Sequence, residues 1–287
     1  MTKRIITAET IATFKNHLIE EEKSAATIEK YIRDVTAFSI FVADRNVDKE
    51  LVVSYKEKIT ADYAVASVNS MLSSVNSILE FLGWYDCRVK QLKTQREIYR
   101  SEERELTEEE YKKLVRTAEK NGKRQLSLIL QTIAATGMRI SELRFVTLKA
   151  LKRGEAIVKC KGKNRKVFIL PELCETLKKF AKDNNIRHGA VFLDKFGKPI
   201  HRTTVWRQMK SLCKSAQISP SKVFPHNLRH LFAKVYYRLH NDIAKLADIL
   251  GHSSINTTRI YLVSTGDEHK KQIEQMHLLV TNIRNTT

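Results

Sequence analysis

PHNLRHLFAKVYYRLHNDIAKLADILGHSSINTTRIY, residues 225–261, is the stretch on which the reading of the chain turns. Pro225 suits the first turn of a helix, where a missing N–H costs nothing. His226 and Arg229 follow three residues apart, so both lie on one face of that helix. Gly251 marks a helix end and places His252 at a turn. A short helix from about Ser253 or Ser254 carries Tyr261, nine residues after His252. A phenol, two imidazoles and a guanidinium can therefore converge.

Upstream, AATGMRISEL (134–143) sets Arg139 just after a Thr136-Gly137 break, in a helix running to about Leu148. Between the two blocks, KCKGKNRKVFIL (159–170) reads as strands near 155–159 and 166–170 around a basic glycine turn, with Lys161 near its tip. Each residue also has an ordinary reading. Arg139 can pair with Glu142 on its own helix. His226 and His230 can be surface histidines, and Tyr261 a core aromatic between Ile260 and Leu262. Tyr236 and Tyr237 are rival nucleophiles by residue type.

Taken together, Arg139, Lys161, His226, Arg229, His252 and Tyr261 resemble the active site of the tyrosine recombinases, or phage-integrase family. The blocks ATGMRISEL, HNLRH and LGHSS, and the tyrosine that follows, match the family's motifs in order and spacing. The similarity is weak over the first 95 residues and strong from about 105. It implies a core-binding, SAM-like helical domain followed by an α+β catalytic domain. It also implies transesterification at a DNA phosphate through a 3′-phosphotyrosine bond, with no metal, ATP or other cofactor. Tyr261 is then the nucleophile, and Arg139 and Arg229 clamp the phosphate. His226 is the base, His252 bonds the phosphate, and Lys161 protonates the leaving 5′ oxygen. The choice of Lys161 over Lys163, Arg165 and Lys166 rests on the family's Lys-Gly pair in the turn. Glu142 is a support residue.

Those residue types suit that chemistry. A planar guanidinium donates two bonds to phosphate oxygens. A phenol of pKa near ~10 is about a thousandth ionised at neutral pH and needs a base or a cationic pocket. The chain has no carboxylate cluster around its motifs to hold a catalytic metal and no GxxxxGK[ST] phosphate loop.

Composition agrees. The 287 residues are 42% hydrophobic and 29% charged, with a net charge of +19. Residues 1–95 hold 13 basic and 13 acidic side chains, and residues 96–287 hold 38 and 19, so the second part carries the whole excess. Such an excess suits a polyanion, here double-stranded DNA. Lys15, Lys30 and Arg33 in the first part, and Lys163 and Arg165 in the hairpin, are candidate DNA contacts. The apolar run around 126–135 is too short to span a bilayer, and MTKRIITAET has no signal-like apolar core. Cys87, Cys160, Cys174 and Cys213 are scattered without a CxxC pair, which suits reduced thiols in a cytoplasmic, nucleoid-associated protein.

The expected fold is mainly α with a small antiparallel sheet. Residues 1–90 read as a four-helix bundle, with caps at Thr7 and Ser24, a third helix over about 48–63, and a fourth stopping at Gly83. Residues 91–106 read as a charged linker, and 107–287 as the catalytic domain, opened by a Thr107–Glu110 capping box. That domain should have helices over 108–120 and 125–136, a helix from Pro171, a third strand near 190–193 and a helix over 203–217. A tail helix over about 267–280 is implied to dock on a neighbouring subunit in a homo-tetramer on DNA, and accessory DNA-bending proteins are possible partners. Absence of an arm-binding domain before Thr7 points to short core sites. Rival functions are a type IB topoisomerase and a non-catalytic DNA-binding accessory protein.

Overall fold

The computed structural model describes residues 3–93, 104–160, 163–259 and 274–276, with Cys160 and Lys163 described by their backbone alone. Contacts divide the chain into two units, Met1–Arg96 and Glu97–Thr287.

The first unit contains α1 (Ala8–Glu20), α2 (Ala25–Val42), α3 (Lys49–Asp62) and α4 (Val65–Phe81), then a 3-10 turn at Tyr85–Cys87. Thr7 opens α1 with a full capping box to Thr10. Ser24 and Asp48 cap α2 and α3 by accepting from the backbone N–H groups of Thr27 and Leu51. The apolar stripes meet in one core: Phe14 and Leu18 from α1, Val35 and Phe38 from α2, and Val68, Leu72, Val75, Ile78 and Leu79 from α4. Ile11, Ile28, Tyr31 and Ile32, read on the same stripes, pack at its rim. Asn69 pairs with both the N–H and the carbonyl of Leu92, so 91–93 run along α4.

The second unit begins with α5 (Glu108–Lys120), whose first turn is closed by the Thr107–Glu110 box, and α6 (Arg124–Thr136). Leu126, Leu128, Ile129, Leu130 and Ile133 are buried, because α6 packs against α5, α8 (Pro171–Asp183), α9 (Arg202–Ala216) and α10 (Pro225–His240). The chain then continues through α11 (Ile243–Leu250) and α12 (Ile255–Arg259). Leu106 lies in this unit's core.

Three expectations require correction. The helix after Gly137 is a 3-10 segment, Ile140–Phe145; Thr147 then caps a separate α7 (Leu148–Arg153). Val146 and Leu148 are drawn into extended pairing with Gly189 and Val191, which no continuous helix allows. The hairpin is tighter than read: β1 (Glu155–Cys160) pairs antiparallel with β2 (Lys163–Phe168), from Glu155↔Phe168 to Cys160↔Lys163. Finally, 190–193 adds no third strand. Ala190 and Leu193 make isolated bridges to Thr147 and Pro199, and the sheet among the described residues has two strands.

Candidate active site

Arg229 sits one turn into α10 and is 1% exposed despite its charge. Its Nη1 donates to the Gly137 carbonyl at 2.6 Å, and its Nη2 donates to the Leu250 carbonyl at 2.6 Å. Gly137 caps the C-terminus of α6, and Leu250 is the last residue of α11. The guanidinium is thus seated between two helix C-termini, whose carbonyls carry partial negative charge. Gly137 takes φ +63°, and a Cβ there would stand 2.5 Å from Phe232 Cδ1.

His252 follows Gly251, the left-handed cap of α11. Its Nε2 is 2.9 Å from Arg229 Nη2, and its Nδ1 is 2.8 Å from Thr258 Oγ1. Guanidinium only donates, so Nε2 accepts and Nδ1 carries the proton, which Thr258 receives. Burial, followed by the charges of Arg229, Arg139 and Arg165 and by His226, lowers the imidazole from 6.5 to about 4. The ring is neutral.

Arg139 caps the 3-10 segment. Its backbone N–H donates to Glu142 Oε2 at 2.7 Å, and its Nη1 to Oε1 at 3.1 Å. The Glu142 carboxylate is buried. The Arg139–Glu142 pair read as an alternative to catalysis is therefore present, and it coexists with exposure of the Arg139 side chain at 38%. Arg139, His226 and Arg229 open onto one cleft of about 580 Å³, and His226 is exposed within it.

Arg202, Trp206 and Lys210 of α9 line the same cleft and were missed by the sequence reading. Thr258 was missed too: nothing in NTTRI separates it from its neighbour Thr257. Tyr236 and Tyr237 pack with Phe232 against Ala233, Leu246 and Leu250 in a small apolar cluster.

Two candidate DNA contacts are engaged within the protein. Lys30 donates to Asp34 at 2.7 Å, to the Ser70 carbonyl and to Ser74, which ties its ammonium to α2 and α4 with 29% of the side chain exposed. Arg165 donates to Glu142 Oε2 and to the Ile249 carbonyl and is 14% exposed, so its donors are directed inward. Lys15 and Arg33 are exposed. Lys163 stands opposite Cys160 in the ladder. Lys161 and Tyr261 lie outside the described residues, as does the tail helix except for 274–276. Among the described residues no three His, Cys, Asp or Glu side chains group as metal ligands, and no helix is long and apolar enough to cross a membrane.

Comparison with known proteins gives the same picture along the chain. Residues 11–85 match the Phage integrase, N-terminal SAM-like domain, and 104–268 match the Phage integrase family. Tyrosine recombinase XerA of Pyrococcus furiosus is 27% identical over 97% of this chain and 98% of its own. Tyrosine recombinase XerD of Halalkalibacterium halodurans is 28% identical over 85% and 88%. The fold is shared with XerH recombinase bound to its difH substrate, at TM-score 0.68, 18% identity and coverage of 96% and 91%. It is also shared with a lambda integrase dimer bound to a COC′ core site, at TM-score 0.73, 18% identity and coverage of 90% and 77%. With more than half of its length matched in one block and its near-full-length relatives named alike, the chain belongs to the Phage integrase family.

Proposed function

We propose that this protein is a site-specific DNA recombinase that cuts and rejoins strands through a covalent 3′-phosphotyrosine bond. One observation carries the reading: Arg139, His226 and Arg229 face a single cleft, and His252 is bonded to Arg229. The Tyr261 oxygen attacks phosphorus as its proton passes to His226. The P–O5′ bond breaks, and Lys161 gives its proton to the departing oxygen. A 5′ hydroxyl of a second strand then reverses these steps, so the bond energy is conserved.

Arg139 and Arg229 hold the nonbridging oxygens of the five-coordinate phosphorus, where losing one such donor costs about 3–4 kcal/mol in the transition state. His252 is neutral with its Nε2 lone pair turned to Arg229. An arriving phosphate offsets the cations that suppress its charge, so the same ring can take up a proton and donate to the phosphate. Glu142 keeps Arg139 in place.

The basic second unit supplies the polyanion attraction, and residues 1–90 act as the core-binding domain that grips one side of the DNA. Relatives seen on DNA include a lambda integrase tetramer bound to a Holliday junction. The corresponding assembly here is a homo-tetramer on double-stranded DNA joined through the C-terminal segment, acting in the cytoplasm on nucleoid DNA, with accessory bending proteins where sites require them. The chain's match to the N-terminal SAM-like domain favours this over topoisomerase or accessory roles.

The test is a duplex from DNA flanking the gene, nicked beside the cleavage point. A recombinase traps a covalent adduct that Tyr261→Phe abolishes. Relaxation of supercoils without site preference, or a gel shift without adduct, would overturn the assignment.

A further inference from the structure

We propose that Arg165 is a positioning residue that ties the β-hairpin to Arg139 and to the His252 turn. The inference rests on the recombinase reading and adds a group that touches none of the reacting atoms. In the ladder Arg165 stands opposite Val158, and Val158 and Val167 are buried. Alternation therefore sends Arg165 to the inward face, while Ile157 and Phe168 are exposed.

The guanidinium spans two acceptors. Its Nη2 donates to Glu142 Oε2, and its Nη1 to the Ile249 carbonyl, each at 2.5 Å. Glu142 in turn holds Arg139 by backbone and side chain together. Ile249 lies three residues before His252, and Gly251 between them makes room for the arginine stem: a Cβ there would stand 2.4 Å from Arg165 Cδ. One side chain thus fixes three segments relative to each other: the hairpin whose strands are joined by 161–162, the segment bearing Arg139, and the turn bearing His252. Lysine cannot replace it, because an ammonium on a flexible stem lacks the planar fork that meets both acceptors at once.

The experiment uses full-length Arg165→Lys and Arg165→Met; the first keeps the charge and covers the case in which the second does not fold. Affinity for a random-sequence duplex, and its slope against salt, are expected to match the unsubstituted chain. A phosphate contact would instead lower the slope by about 0.9, and that result overturns the proposal. Cleavage of the nicked duplex at saturating DNA is expected to fall about a hundredfold in both variants, the cost typical of small misplacement. Cleavage at the original rate overturns the proposal and leaves the recombinase reading intact.

The DNA-free protein supplies a readout independent of activity. The His252 ring titration, followed by NMR, is expected to move upward in both variants, further in Arg165→Met. Should the unsubstituted chain form no adduct, the recombinase reading fails. The titration of Arg165→Lys, which keeps the charge, then decides the tie: an upward shift there supports it and an unmoved titration overturns it.

Discussion

His252 Nε2 accepts a hydrogen bond from Arg229 Nη2 across 2.9 Å, which joins a neutral imidazole to a buried cation. The consequence for stability has a definite sign. The folded ring titrates at about 4 against an ordinary 6.5, so between these values the unfolded chain binds more protons. The ring's contribution is complete above pH 6.5 and is lost as pH falls toward 4. Urea unfolding across this range is expected to show a loss of about 2–3 kcal/mol from this group. His252→Gln should flatten that part of the profile.

Glu142 is a buried carboxylate facing two arginines. Breaking such an arrangement from one side usually costs about 3–5 kcal/mol. Glu142→Ala is expected to lower the unfolding free energy by that amount, read as a lower urea midpoint at unchanged slope, and to reduce cleavage more than DNA affinity.

Gly137 and Gly154 both take left-handed backbone, at φ +63° and +70°. Alanine at Gly154 meets nothing nearer than 3.9 Å, whereas at Gly137 it strikes Phe232. Gly154→Ala should cost about 1 kcal/mol. Gly137→Ala should cost a further 1–3 kcal/mol or so from overpacking, and it should slow cleavage because Arg229 bonds the Gly137 carbonyl. Thermal melts of the two variants isolate the difference.

Lys30 and Arg33 lie one turn apart on α2 yet should behave oppositely. Lys30→Ala strips a buried Asp34 of its ammonium partner and is expected to destabilise the first unit by about 2–3 kcal/mol. The Arg33 side chain is 73% exposed and meets the other oxygen of the same carboxylate, Asp34 Oδ1, at 3.2 Å, so its ion pair is screened by solvent. Arg33→Ala should leave stability within about 0.5 kcal/mol, and a fall of about 1 in the salt slope is the outcome that would mark it as a phosphate contact. Denaturation and binding titrations on the same two proteins check both halves.

Local signals made much of this fold legible. Thr7, Ser24 and Thr107 cap helices because their side chains reach unpaired N–H groups two or three residues on, and Gly137 and Gly251 end helices because they tolerate positive φ. Where the reading went astray, a distant partner decided. Val146 leaves the helical path to pair with Val191, and 190–193 bridges to Thr147 and Pro199 instead of extending the hairpin. Arg165 was read by its charge alone. Its parity with Val167 and Ile169 already placed it on the covered face, but an acceptor for it was not visible until Glu142 and Ile249 were brought alongside.

The seat of Arg229 has a wider consequence. Carbonyl dipoles at two helix ends orient the guanidinium while leaving its formal charge in place. A carboxylate in their position would anchor the side chain equally well but would compete with any anion that approached. The architecture therefore stores an attractive field at the bottom of the cleft before substrate arrives, and little solvent has to reorganise when that field is used.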